Sequence, residues 1–158
     1  MATRTVLKND QHLDFLKDEY FQLQRSIEEF DGRALTIKAW SVTFSMVALA
    51  GSFAAHAPAG LLIAAFGSCL FWWIECMWKT FQYAFYERIN LIEDYFAGKA
   101  ERPVPLQIGR AWYERWSCMG GKKMCRILMW PRVALPHAAV AFVGFAAFVL
   151  AVAGIIPV

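Results

Sequence analysis

AWSVTFSMVALAGSFAAHAPAGLLIAAFGSCLFWWI, residues Ala39 to Ile74, is the stretch whose reading decides the fold. Its 36 residues contain no Asp, Glu, Lys or Arg, and His56 is its one group that titrates near neutral pH. A helix needs ~17–25 apolar residues to cross a bilayer, and this run supplies about two such lengths. His56-Ala57-Pro58-Ala59-Gly60 interrupts it midway with residues that punctuate helices. The stretch predicts two transmembrane helices, span 39–55 and span 60–78, joined by a turn at 56–59.

Small residues mark one face of each span: Ala48, Ala50, Gly51, Ser52, Ala54 and Ala55 in the first, Gly60, Ala64 and Ser68 in the second. Such faces let helices approach closely in lipid, where packing and hydrogen bonds replace hydrophobic exclusion. The second span ends in Phe71, Trp72, Trp73 and Trp78, an aromatic group suited to the headgroup level. Lys38 precedes the first span, and Glu75 and Lys79 close the second, so all three mark one water boundary.

Outside the spans the period stays helical. Leu13, Leu16, Tyr20, Leu23, Ile27, Phe30, Ala34 and Ile37 alternate steps of three and four, the seam of helices packed side by side. Trp78, Phe81 or Gln82, Phe85, Ile89, Ile92 and Phe96 do the same after the second span. Asp14, Lys17, Asp18, Glu19, Glu87, Arg88, Glu93 and Asp94 fall off these seams, on faces that can stay wet. The expectation is a long antiparallel helical hairpin over 11–97, its outer segments 11–38 and 79–97 forming a stalk, after a loose leader at 1–10.

Residues 98–105 read as a loop, because Pro103 and Pro105 forbid a helix. Residues 106–132 then interleave Arg110, Arg115, Lys122, Lys123, Arg126 and Arg132 with Trp112, Trp116 and Trp130, a composition suited to a headgroup layer with anionic lipid. A third span is expected over 133–156. The fold class is thus an all-α integral membrane protein with three transmembrane helices.

Composition agrees. Hydrophobic residues make up 58% and charged residues 18%, against the usual ~45–50% and ~25% of soluble domains. The net charge of +3 gives no footing for nucleic-acid binding. All sixteen Lys and Arg lie before Ala39 or between Lys79 and Arg132, which places the N-terminus and stalk in the cytoplasm and the C-terminus outside. With the segment 106–132 on the cytoplasmic side, Cys118 and Cys125 are not expected to form disulfides, and buried or inert thiols are the reading for Cys69 and Cys76 as well.

Two residues stand out as functional candidates. Glu75 is the one acid beside the charge-free core, where acids serve ion or proton pathways; its bland reading is a helical ion pair with Lys79, four residues on. His137 closes Arg132-Val-Ala-Leu-Pro-His137, the R-x4-H spacing found in the HEPN ribonucleases, where Arg and His act on RNA. An Arg snorkelling to phosphate accounts for that pattern with less. Cys118 and Cys125 do not have zinc-ligand spacing, and no phosphate loop, G-x-S-x-G or H-E-x-x-H occurs, so neither cofactor, metal nor catalytic residue is expected.

YFQLQRSIEEF (Tyr20–Phe30), then LTIKAWSVTFS (Leu35–Ser45) entering a two-helix hairpin and a charged helix, resembles small bacterial multi-span membrane proteins. The layout is similar to the SLATT family of two-span effectors, from which the third span departs. The resemblance implies a non-enzymatic, homo-oligomeric protein of the bacterial inner membrane that compromises the membrane, as a pore for instance, when a partner triggers it. The alternatives are an anchor or adaptor that recruits a cytoplasmic protein through its stalk, and a membrane-embedded enzyme.

Overall fold

The computed structural model describes residues 9–119 and 121–158; most of the expected leader, and the Lys122 side chain, fall outside them. Every regular element among the described residues is a helix: α1 Asn9–Ala54, α2 Ala59–Phe96, α3 Ile108–Ser117, α4 Gly121–Leu128 and α5 Pro131–Val152. Three of these, α1, α2 and α5, are long and apolar enough to cross a membrane. Residues 9 and 10, assigned to the leader from sequence, are already helical.

Helix ends follow local chemistry. Residues 55–58 connect α1 to α2 with His56 at φ 51°, and Ser52 Oγ donates to Ala57 O at 2.6 Å. α2 ends at Phe96, and just beyond it Gly98, with a φ of 72°, lets Lys99 N–H return to Asp94 O at 2.8 Å. α5 stops at Val152, earlier than the span expected to reach 156. Gly154, at φ 70°, turns the chain back so that Ile155 N–H bonds Leu150 O at 2.9 Å. Pro131 opens α5, where a missing N–H costs nothing.

The described residues divide into two compact units, 9–30 with 81–119, and 31–80 with 121–158. The first has a core of Leu16, Leu23, Ile27, Ile89 and Ile92, with Tyr20, Phe85, Tyr95 and Ile108 packed against it. Gln82 adds a hydrogen bond to Ile27 O at 3.0 Å. α3 belongs here: Trp112 stacks on Trp116 with centroids 5.6 Å apart, and its indole N–H donates to Phe81 O at 3.0 Å.

This unit also holds the clearest correction to the sequence reading. Glu19 and Arg88, placed on wet faces by the seam, are both buried. Glu19 accepts from Arg88 Nε at 2.8 Å and Nη2 at 3.0 Å, from Leu106 N–H at 2.7 Å and from Gln107 N–H at 3.3 Å. Arg88 Nη2 reaches Val104 O at 2.6 Å as well. The loop with Pro103 and Pro105, both buried, covers the pair. A seam count cannot register this, because the cover arrives from another part of the chain.

The second unit contains the apolar halves of α1 and α2 with α4 and α5. Its contacts rest on small residues: a Cβ on Gly144 would stand 3.1 Å from Leu61 O and Ala65 N, and one on Gly60 would stand 2.8 Å from Ser52 Cβ. α4 seats Ile127 in the interior, and Trp72 donates to Leu128 O at 2.9 Å. The segment 106–132, in which Gly120-Gly121 is the expected break, holds two helices, α3 in the first unit and α4 in the second.

Candidate functional site

The apolar half of α1 turns a row of hydroxyls inward. Ser41, Ser45 and Ser52 are buried, whereas Val42, Thr43, Phe44, Met46 and Val47 are exposed. Steps of four and seven hold one helical face, so the serines share it. Lys38 lies three residues before Ser41, on the same side. α2 contributes Ser68 and Glu75, seven residues apart, and α5 contributes His137 just beyond Pro136.

These side chains form one connected cluster. Glu75 and His137 are each 0% exposed. Glu75 Oε2 lies 2.9 Å from His137 Nε2. Glu75 Oε1 lies 2.7 Å from Lys38 Nζ in an ion pair, and no hydrogen bond of good geometry reaches that oxygen. His137 Nδ1 is 2.9 Å from Ser41 Oγ, and Ser68 Oγ donates to the His137 carbonyl at 2.8 Å. α1, α2 and α5, the three apolar helices, thus meet at a single imidazole.

The charges assign the protons. A carboxylate ion-paired to Lys38 offers only acceptor oxygens, so His137 Nε2 carries the hydrogen of its contact. Nδ1 then accepts from the Ser41 hydroxyl. Lys38, with 23% of its side chain exposed, is the member of the cluster in touch with the outside. The order hydroxyl, imidazole, carboxylate is that of an acyl-transfer triad. Ser41, however, is 1% exposed and sits mid-helix, with no approach for a carbonyl carbon.

Of the residues singled out from sequence, Glu75 and His137 are brought together. Glu75 does not pair with Lys79 as its bland reading had it; Lys79 pairs with Asp31 at 2.5 Å. Helical spacing offers Lys79, whereas the partner that Glu75 takes comes from α1. Arg132 is exposed on α5 while His137 is buried; five positions apart they face about 140° from one another, so the ribonuclease pair does not form.

The residues expected at lipid are more scattered. Trp73, Arg126 and Arg132 are exposed, and Lys123 and Trp130 are half-buried. Trp72 is bonded to α4, Trp78 lies 5.9 Å from the Arg33 guanidinium, and Trp112 and Trp116 stack within the first unit. Arg115 pairs with Glu87 at 2.7 Å and Arg110 with Glu114 at 3.3 Å. All four cysteines are free thiols, Cys76 buried and Cys69, Cys118 and Cys125 exposed. Ser68 was legible as part of a small-residue face and Ser41 as a polar residue of the first span, but neither as a partner of His137; the four- and seven-residue spacing of the α1 serines was the signal for an inward polar face.

Comparison with protein-family models, with curated proteins and with solved structures returned no match.

Proposed function

We propose that this chain is a non-enzymatic multi-pass protein of a bacterial inner membrane, N-terminus cytoplasmic, that assembles as a homo-oligomer and perturbs the membrane. In this reading α1 and α2 form one hairpin whose outer segments make a cytoplasmic stalk, with basic residues against anionic lipid. The observation that carries it is the Glu75–His137 pair, fully buried among three apolar helices. Each buried ion costs several kcal/mol even after relaxation, and ionisable groups at membrane depth mark ion or proton pathways by default.

The inward set of Ser41, Ser45, Ser52 and Ser68 supports a polar route within one chain rather than between copies, since Phe66, Phe142 and Val143 cover the outside. Gly60 against Ser52, and Gly144 against Ala65, are the close approaches that hold these helices together. The test is reconstitution into phosphatidylethanolamine–phosphatidylglycerol vesicles carrying a potassium diffusion potential. Wild type at high protein-to-lipid ratio is expected to dissipate the potential and Glu75→Gln to lose most of that effect. Vesicles that hold their potential at every ratio would sink the proposal.

A second reading, an adaptor, is favoured by an apolar groove of ≈ 450 Å³ on the first unit, with Leu13, Tyr20, Phe21, Ile92 and Phe96 on its walls. Pull-down with wild type and Phe21→Glu would separate the two. A cytoplasmic protein retained by both forms alike would count against the groove.

A further inference from the structure

We infer that the cluster of Lys38, Ser41, Glu75 and His137 is a proton-uptake site, in which loading His137 displaces Lys38 from Glu75. This rests on the reading of the second unit as membrane-embedded, and it names what would act on that unit.

Glu75 is one carboxylate shared by two nitrogen groups, one oxygen each. With His137 neutral, the ammonium of Lys38 and the carboxylate cancel, and no net charge is buried. A hydronium ion gives its proton to the lone pair of Nδ1, where Ser41 stands, and is left as water. The Ser41 hydroxyl, which had donated there, turns so that its oxygen accepts the new N–H. No other bond forms or breaks, and the imidazole becomes a cation. The charged groups that the structure places on Glu75 and His137 are then Lys38 from α1 and His137 itself from α5, both positive, around one negative oxygen pair from α2. Asp31, two turns before Lys38, and Lys79, one turn after Glu75, pair with each other.

Two cations on one buried carboxylate leave a net positive charge inside an apolar unit, at a cost of several kcal/mol. The two cations differ in how they can relieve it. His137 is fixed by Ser41, by Glu75 and by the Ser68 bond to its own carbonyl. Lys38 is held by an ion pair alone, is partly exposed, and ends a flexible four-carbon stem. Lys38 is therefore the group that leaves. The imidazole, with a second ring nitrogen to protonate, is the sensor, and the lysine is the moving part.

The chain has three histidines, His12, His56 and His137, so the site can be observed in isolation. His12→Gln with His56→Asn, the latter keeping a residue tolerant of the φ of 51° at that turn, leaves His137 alone. This protein, ¹⁵N-labelled at histidine and lysine in lipid nanodiscs, is titrated by NMR from about pH 8 to about pH 5. The expected record is a neutral ring protonated on Nε2, passing to a doubly protonated ring as the Lys38 Nζ resonance shifts with the same midpoint. Lys38→Met, which removes the competing cation, is expected to move the midpoint of the ring transition away from its wild-type position.

A ring protonated on Nδ1 when neutral would overturn the assignment. A ring that stays singly protonated throughout, or a Lys38 signal that ignores the His137 transition, would overturn the displacement. Should Lys38→Met fail to fold, the wild-type residues in the two-histidine variant still decide the matter. Vesicles that fail to leak leave this titration intact, so failure of the membrane-perturbing reading and failure of the proton site appear in different experiments.

Discussion

Each unit of this protein buries one carboxylate, and they are held in opposite ways. Glu19 in the first unit receives four hydrogen bonds, two from the guanidinium of Arg88 and two from backbone N–H groups of residues 106 and 107. Glu75 in the second receives the imidazole on one oxygen and only the ammonium of Lys38 on the other. Arg88 is permanently charged and planar, and its fork matches a carboxylate. Histidine changes its charge, and lysine is a point charge on a flexible stem. The first arrangement has one protonation state and one geometry, which makes it a latch for the loop over it. The second has alternatives, which is what a site needs.

The contrast predicts two different outcomes for the same operation. Arg88→Ala leaves the Glu19 carboxylate buried with backbone partners alone, and should cost about 3–5 kcal/mol. The readout is chemical unfolding in detergent, followed by circular dichroism. Glu19→Leu with Arg88→Met removes both charges and should recover most of the loss, since buried pairs are replaceable by apolar side chains of similar volume. Glu75→Leu with His137→Leu should also keep stability, because the Lys38 side chain is partly exposed, yet should abolish the proposed dissipation of membrane potential. If that variant kept full activity, the second unit would hold a latch like the first.

The same contrast explains what was legible in the sequence. Charge-free runs at 39–74 and from Val133 onward announce three long apolar helices, because bilayer solvation forbids charge along a whole helix face. Glu75 and His137 were conspicuous for the same reason: an ionisable group next to such a run is anomalous on its own element. Glu19 and Arg88 were not, since they sit among charges on helices that look amphipathic. Their burial depends on the loop at residues 103–107, and no periodicity encodes where a loop will fold. Lys38 was legible as a boundary marker, but its choice of Glu75 was not. Trp112 and Trp116 were legible as an aromatic pair among basic residues, but the aromatic partners that each ring finds within the first unit were not.

The smallest expected effects separate the two serines that touch His137. Ser41→Ala strips the donor from Nδ1 of a fully buried ring, and an orphaned buried acceptor costs about 1–3 kcal/mol. Ser68→Ala removes a hydroxyl from the His137 carbonyl, which lies inside α5 and keeps its helical N–H donor four residues on. Interhelical bonds of that kind average about 0.6 kcal/mol in membrane proteins. Unfolding midpoints should therefore fall more for Ser41→Ala than for Ser68→Ala, although both delete one hydrogen bond to the same residue. Ser41→Ala should also change the ¹⁵N shift of the Nδ1 position, whereas Ser68→Ala should leave the ring signals in place. Equal losses of stability with an unmoved ring would mean that Nδ1 draws nothing from Ser41, and the path for a proton onto His137 would have to start elsewhere.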